Sequence, residues 1–208
     1  MRIRIVYHKT EPLRYTSNLD MQKIWERTFR RANLPLIYSQ GFHPQPKIQQ
    51  ACPLPTGFLS RHELLDFWLD ETYAIEHLNG LLSSVVQPGI FIQSLSELDP
   101  NADLLQNAVT SVTYQVELLS SHLPETILDS INNLLATGSI PRVRRGKQYD
   151  LRPLVEELSL DIKDNDTVTI LVRLSARQGA TGRPEEVLDQ LGLDPLDARY
   201  TRTETLFI

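Results

Sequence analysis

Residues 2–33 read RIRIVYHKTEPLRYTSNLDMQKIWERTFRRAN, and this stretch combines a strand pattern with a helix pattern. In its first part apolar and polar side chains alternate, which predicts a β-strand over Arg2–His8. Residues 17–20, Ser-Asn-Leu-Asp, form a capping-box pattern that predicts the start of a helix ending at about Asn33. The fold therefore begins with a strand followed by a helix.

The predicted helix has one apolar face and one cationic face. The apolar side chains recur at helical spacing and are Met21, Ile24, Trp25, Thr28 and Ala32. The opposite face carries Lys23, Arg27, Arg30 and Arg31. Cations at i, i+4 spacing repel each other at a cost of about 0.2–0.5 kcal/mol per pair. This cost favours a phosphate-facing role over a simple solvated surface.

The later elements follow a repeated order. Strands are predicted at 48–53, 64–70 and 90–96, with a helix at 72–86. The second half predicts strands at 112–118, 141–160, 167–175 and 200–208, with helices at 127–135 and 184–191. The order β-α-β-β-α-β in each half predicts an α+β fold of two tandem ferredoxin-like units with antiparallel sheets. The predicted boundaries are a first unit at 1–98, a polar linker at 99–110 and a second unit at 111–208.

Composition excludes several classes of protein. The 208 residues are 41% hydrophobic and 23% charged, with a net charge of −5, so neither a disordered chain nor a globally basic nucleic-acid binder is expected. A lone cysteine, Cys52, excludes a disulfide framework and an all-cysteine metal site. The five histidines show no metal-ligand spacing. We therefore expect a cytoplasmic protein with no cofactor, no metal and no contact with the membrane.

Charge is distributed unevenly along the chain. Residues 1–47 carry a net charge of +6, whereas the remainder carries −11. A second basic cluster interrupts the acidic part and comprises Arg142, Arg144, Arg145 and Lys147. This asymmetry indicates a local surface for an anionic partner on an acidic body.

A loop rich in glycine and proline follows the basic helix. Residues 38–47 read YSQGFHPQPK and bring aromatic, hydroxyl, amide, imidazole and ammonium groups together. Rings beside cations are what recognition of single-stranded RNA requires. The alternative is a rigid structural loop in which Tyr38 and Phe42 plug the core. The second basic cluster is open to two interpretations as well, the end of a hairpin or an extension of the basic track.

Several of these stretches resemble a known family, the radical-SAM-linked domain of unknown function. The resemblance is carried by residues 14–20, 30–35, 38–47 and 54–57, and by a second signature, Tyr-Asp-Leu-Arg-Pro, at 149–153. It implies that the domain either follows a radical SAM domain in one polypeptide or is a separate protein encoded near a ribonuclease of the E/G type. It implies no defined activity. Asn18 and Gln45 stand where histidines are common in that family, which argues against proton or metal chemistry here.

The chain lacks a cluster-binding cysteine triplet, so it is not expected to be a radical SAM enzyme itself. From the basic helix and the loop after it, we expect a non-catalytic RNA-binding or substrate-presenting module. Its expected partners are RNA, with tRNA and rRNA as candidates, and a radical SAM protein or a ribonuclease E/G-type enzyme. The residues expected to contact RNA are Arg14, Arg27, Arg30, Arg31, Tyr38, Ser39, Gln40, Gly41, Phe42, His43, Lys47, Arg142, Arg144, Arg145 and Lys147.

Two other functions fit the same residues. One is a protein-docking domain that makes no contact with RNA. The other is a metal-independent RNA endonuclease, in which His43 would act as the base and Tyr38 or Lys47 would stabilise charge. Tandem ferredoxin-like folds resemble the CRISPR RNA-processing endonucleases, which cleave RNA without a metal ion by using general acid–base side chains.

Overall fold

The computed structural model describes residues 1–119, 123–162 and 168–207. The protein is a mixed α+β protein in which antiparallel strand pairing predominates, with five α-helices in the described ranges. Contacts divide the chain into two compact units, Met1–Val109 and Thr110–Ile208. The segment 99–110, expected to be a linker, contains a short helix whose first residue, Leu105, is buried.

The elements are labelled in chain order. The strands of the first unit are β1 (Arg2–Lys9), β2 (Ile48–Gln50), β3 (Leu59–Trp68) and β4 (Ile90–Leu98). Its helices are α1 (Asn18–Arg31), α2 (Ile75–Ser83) and α3 (Leu105–Ala108). The later strands are β5 (Val109–Leu118), β6 (Pro141–Arg144), β7 (Lys147–Asp150), β8 (Val155–Ile162), β9 (Val168–Arg177), β10 (Ala180–Thr181) and β11 (Ala198–Phe207). The later helices are α4 (Pro124–Ala136) and α5 (Pro184–Gln190).

The sheet of the first unit has the order β2–β3–β1–β4, and every pairing is antiparallel. Ile3, Ile5 and Tyr7 project from one face of β1 into a core that includes Trp25 and Phe29 of α1. The aromatic rings of this core form a chain, with centroids 4.9 Å apart for Tyr7–Trp25 and 5.6 Å apart for Trp25–Phe29. Burial of this face fixes α1 on the sheet and turns its polar face outward.

The other face of the same strands contains a buried ion-pair cluster. Asp66 on β3 is fully buried, and its carboxylate accepts hydrogen bonds from Arg4 Nε at 2.8 Å and Arg2 Nη2 at 2.7 Å. Arg2 also donates to the carbonyl oxygens of Ala102 at 2.5 Å and Asp103 at 2.7 Å. Arg2 and Arg4 therefore hold the fold together, and they do not add to the positive surface that the sequence indicated.

The second unit has the strand order β8–β9–β5–β11, with β10 also paired to β9. The prediction of one long strand over 141–160 is wrong. Instead β6 and β7 form a separate hairpin, a 3-10 turn covers Arg152–Leu154, and β8 begins at Val155. The hairpin reverses at Arg145 and Gly146, whose φ angles are 51° and 77°, as a two-residue turn of type I′ requires.

Among the helices that the structure describes, none is long and apolar enough to cross a membrane.

Candidate nucleic-acid interface

Helix α1 presents its cations at defined positions because both of its ends are capped. The Ser17 hydroxyl accepts a hydrogen bond from the backbone N–H of Asp20 at 3.2 Å, as the capping-box pattern predicts. At the other end Asn33 has a φ of 56°, and the N–H of Leu34 donates to the Phe29 carbonyl at 3.1 Å. This is a Schellman-type ending. It stops the helix at Arg31, and the chain then runs alongside the end of β3, where the Ile37 N–H donates to the Trp68 carbonyl at 2.8 Å.

All four cations of the basic face, Lys23, Arg27, Arg30 and Arg31, are exposed. Their neighbours in sequence, Trp25 and Phe29, are fully buried. The prediction of one apolar and one cationic face is confirmed. All four cations face solvent, where an anion can reach them.

The segment that follows α1 forms a hairpin, which we call the aromatic hairpin (residues 38–46). Its two strands are held by a hydrogen bond of 2.8 Å from the Ser39 N–H to the Gln45 carbonyl. The Ser39 hydroxyl accepts a second hydrogen bond, from the Gln45 N–H, at 3.0 Å. The base of the hairpin is attached to β3, because the Lys47 Nζ lies 4.5 Å from the centroid of the Trp68 ring.

The tip of the aromatic hairpin stands away from the core. Residues 39–45 are all exposed, and the Phe42 side chain has a relative exposure of 102%. Tyr38 is half exposed at 51%. The alternative in which these two rings plug the core is therefore wrong. Gly41 has a φ of 141°, a conformation that side-chain-bearing residues rarely adopt, which explains a glycine beside the exposed ring.

A cleft of about 510 Å³ lies between α1 and the aromatic hairpin. Its lining residues are Lys23, Glu26, Arg27, Arg30, Asn33, Leu34, Leu36, Tyr38 and Pro46. Three cations and one carboxylate give the lining a positive net charge, and Tyr38 adds an exposed ring. Such a cleft attracts an anion that also carries a planar group.

The structure brings together only part of the predicted site. Arg27, Arg30 and Tyr38 line the cleft, and the remaining hairpin residues, Ser39, Gln40, Gly41, Phe42 and His43, extend from its rim. Arg31 is exposed but does not line the cleft. Arg14 lies elsewhere, where its Nε donates to the Gly57 carbonyl at 3.0 Å. Lys23 belongs to the lining and was left out of the predicted contacts, although its i−4 spacing from Arg27 was a sufficient signal.

Two of the four cations of the second basic cluster are neutralised within their own unit. Arg142 pairs with Asp189 and donates to the Gln190 side chain at 2.8 Å. Arg144 pairs with Glu186 and donates to the Thr181 carbonyl at 3.0 Å. These two arginines fasten the β6–β7 hairpin to α5. Arg145 and Lys147 remain exposed at the turn.

The signature Tyr149–Pro153 has structural contacts. The Arg144 guanidinium lies 4.7 Å from the centroid of the Tyr149 ring, and Leu151 is fully buried. The Asp150 carboxylate accepts hydrogen bonds from the backbone N–H groups of Ile140 at 2.7 Å and Arg152 at 3.0 Å. The signature therefore shapes the entry and exit of the β6–β7 hairpin.

Asp150 supplies a testable pH dependence. The Ile140 N–H, helped by the Ser139 side chain, lowers the pKa of Asp150 from its ordinary value of 3.8. A carboxylate whose pKa is lower in the folded state than in the unfolded state stabilises the fold. This stabilisation is complete when the pH lies above the pKa of the unfolded state, and it is lost as the pH falls through the pKa of the folded state. We expect Asp150→Asn to lower the free energy of unfolding at pH 7, with the difference from wild type shrinking below about pH 4. Urea unfolding of wild type and Asp150→Asn at pH 7 and below about pH 4 measures the change. If the difference in free energy of unfolding between the two proteins stayed constant with pH, the prediction would be contradicted.

In the described parts of the chain, no group of three or more His, Cys, Asp and Glu side chains is placed to hold a metal ion.

Comparison with known proteins gives a family and a fold. Residues 2–184 match the family described as "Uncharacterized protein conserved in bacteria (DUF2344)". No curated protein matches the sequence. Among solved structures, a chain in the "Crystal Structure of a Cbf5-Nop10-Gar1 Complex" is similar, with a TM-score of 0.52 and 9% identity over 98% of this chain. A chain in the "Structure of H/ACA RNP bound to a substrate RNA containing 2'-deoxyuridine" has a TM-score of 0.44 and 10% identity over 89% of this chain. This chain spans about half the length of these two, 48% and 43%.

Proposed function

The chain belongs to the DUF2344 family, uncharacterized proteins conserved in bacteria, and we propose that this member is a non-catalytic RNA-binding or substrate-presenting module. The proposed ligand is single-stranded RNA in the cleft between α1 and the aromatic hairpin. The observation that carries the proposal is the juxtaposition of the half-exposed Tyr38 ring, at the base of the aromatic hairpin, with three cations of α1 in the lining of that cleft.

The cations are spaced for a nucleic-acid backbone. Lys23, Arg27 and Arg30 lie on one helix face, and a rise of about 1.5 Å per residue spreads them over roughly 10 Å along the axis. Glu26 is the one carboxylate that lines the same cleft. Such a row favours a chain of phosphates over a single anion, because each cation pairs with a different phosphate.

The aromatic hairpin is the reason for proposing single-stranded RNA as the ligand and not a duplex. Phe42 and Tyr38 expose ring faces, and unpaired bases stack on such faces whereas paired bases within a duplex do not. His43, Ser39 and Gln40 lie exposed beside them and offer hydrogen bonds to base edges. The rigid base of the hairpin limits the entropy lost on binding.

The proposed RNA-binding surface lies on the first unit. Arg142 and Arg144 are compensated by carboxylates of α5, so only Arg145 and Lys147 are retained as candidates for extending the track. The strand orders β2–β3–β1–β4 and β8–β9–β5–β11 support the proposal that both units are ferredoxin-like. A radical SAM protein or a ribonuclease E/G-type enzyme is proposed as partner from the family resemblance.

Binding of a fluorescent single-stranded RNA of twelve nucleotides across a salt series tests the proposal. With three phosphate contacts, log K against log salt is expected to have a slope of about −2, and the dissociation constant is expected near 10⁻⁴–10⁻⁶ M at physiological salt. The same sequence as a duplex is the control and is expected to bind more weakly. No binding at 50 mM salt would contradict the proposal and favour the protein-docking alternative. Cleavage of the bound RNA, lost in His43→Ala, would instead favour the endonuclease.

A further inference from the structure

A second cleft, of about 520 Å³, borders α1. Its lining residues are Leu13, Tyr15, Thr16, Asp20, Lys23, Ile24, Arg27 and Gln87. Lys23 and Arg27 line both clefts. A helix turns about 100° per residue, so Glu26 and Arg30 fall on one side of these two cations, whereas Asp20 and Ile24 fall on the other. Lys23 and Arg27 therefore form a ridge with one cleft on each side.

Tyr15 provides this second cleft with an exposed ring. Its side chain is 77% exposed, so it contributes little to the core. The Arg14 guanidinium lies 5.7 Å from the centroid of the Tyr15 ring, and Arg14 is itself fixed by its hydrogen bond to the Gly57 carbonyl. The ring thus rests against an anchored cation, which is how a preformed stacking surface is built.

Asp20 determines which part of a nucleotide fits here. Its carboxylate lines the second cleft and accepts a hydrogen bond from the Ser17 hydroxyl at 2.7 Å. A phosphate beside this carboxylate would be repelled, whereas an uncharged base would not. The phosphates are therefore expected on the ridge, and the base is expected on Tyr15.

We infer that Tyr15 is a second base-stacking residue, and that single-stranded RNA crosses α1 over the Lys23–Arg27 ridge. This inference rests on the proposed function and extends it. A helix with its side chains is about 10–12 Å across, so the rings on its two sides stack on different nucleotides of one strand. The ligand is accordingly an oligonucleotide and not a mononucleotide.

The test measures the affinity of the twelve-nucleotide RNA for wild type, Tyr15→Ala, Tyr15→Phe and Phe91→Ala. Loss of one stacked base lowers the affinity for RNA by about 5-fold to 150-fold, and a loss in this range is expected for Tyr15→Ala. Tyr15→Phe retains the ring and is expected to bind like wild type. Phe91, 62% exposed on β4, lines neither cleft and serves as the matched aromatic control, with no expected change.

The outcomes separate this inference from the proposed function. Wild-type binding that is unchanged in Tyr15→Ala overturns the second stacking site and leaves the proposed function standing. Equal losses in Tyr15→Ala and Tyr15→Phe overturn the stacking role, because the ring is then not the group that binds. Failure of wild type to bind overturns both. If thermal melting shows that Tyr15→Ala is unfolded, Tyr15→Ile, which fills space without a ring, replaces it.

Discussion

Replacement of Asp66 by alanine is expected to lower the free energy of unfolding by about 3–5 kcal/mol, because it removes the buried carboxylate with which two buried guanidinium groups pair. Asp66 is fully buried, and Arg2 and Arg4 are 2% and 8% exposed. Arg2 would retain the carbonyl oxygens of Ala102 and Asp103, but these carry no formal charge to balance its own. Denaturant unfolding of the full chain measures the change.

Asp70→Ala is the matched control, since Asp70 is an exposed aspartate four residues further on, and its loss is expected to change stability by less than about 0.5 kcal/mol. A loss below about 1 kcal/mol in Asp66→Ala would show that the ion-pair cluster is not a major source of stability. The cluster also supports the site. The Trp68 ring lies 5.1 Å from the Arg2 guanidinium and 4.5 Å from the Lys47 ammonium, at the base of the aromatic hairpin.

Features with a local cause were predictable from the sequence. The capping box, the two faces of α1 and the irregular loop after it follow from residues within a few positions of each other, although only the structure shows that the rings of this loop are exposed. The alternation of β1 correctly predicted a strand, but not that its polar side would be buried. Arg2 and Arg4 find their counter-ion on a strand more than sixty residues away, and no local pattern reports such a pair.

The end of a hairpin was one of two interpretations of the second basic cluster, and the structure confirms it, but the prediction of a single strand over 141–160 left the hairpin out. Its turn is Arg145-Gly146, whereas the usual signal for this turn type is Asn-Gly or Asp-Gly. The carboxylates that neutralise Arg142 and Arg144 lie on α5, more than forty residues away in the chain. A cluster of basic residues in sequence is therefore a poor guide to surface charge when acidic helices pack nearby.

The proposed role of Tyr15 was not predicted from the sequence. It lies within the stretch that carries the family resemblance, yet its neighbours give no helical or strand spacing that would mark it as exposed. Only its position beside α1 relates it to Lys23 and Arg27. Sites assembled from a turn and a helix face depend on tertiary packing, and patterns of hydrophobicity do not encode it.

The double variant Arg27→Glu/Arg30→Glu is expected to lower RNA affinity by about 100-fold or more. A hydrogen bond to a charged group contributes about 1.5–3 kcal/mol, so the loss of two corresponds to at least two orders of magnitude. Both side chains are exposed on α1, so the fold is expected to tolerate the change. Titration with the twelve-nucleotide RNA at fixed salt gives the affinity, and thermal melting checks the fold.

The most direct test of an RNA site in the cleft beside α1 compares this variant with Arg61→Glu/Arg199→Glu. The control replaces two exposed arginines that do not line the cleft, and it changes the net charge by the same amount. If the cleft binds RNA, the cleft variant loses affinity by about 100-fold, whereas the control stays within about five-fold of wild type, because screening over roughly 8 Å limits remote charges. Equal losses in the two variants would show that RNA senses only the overall charge of the protein, and the cleft would not be its binding site.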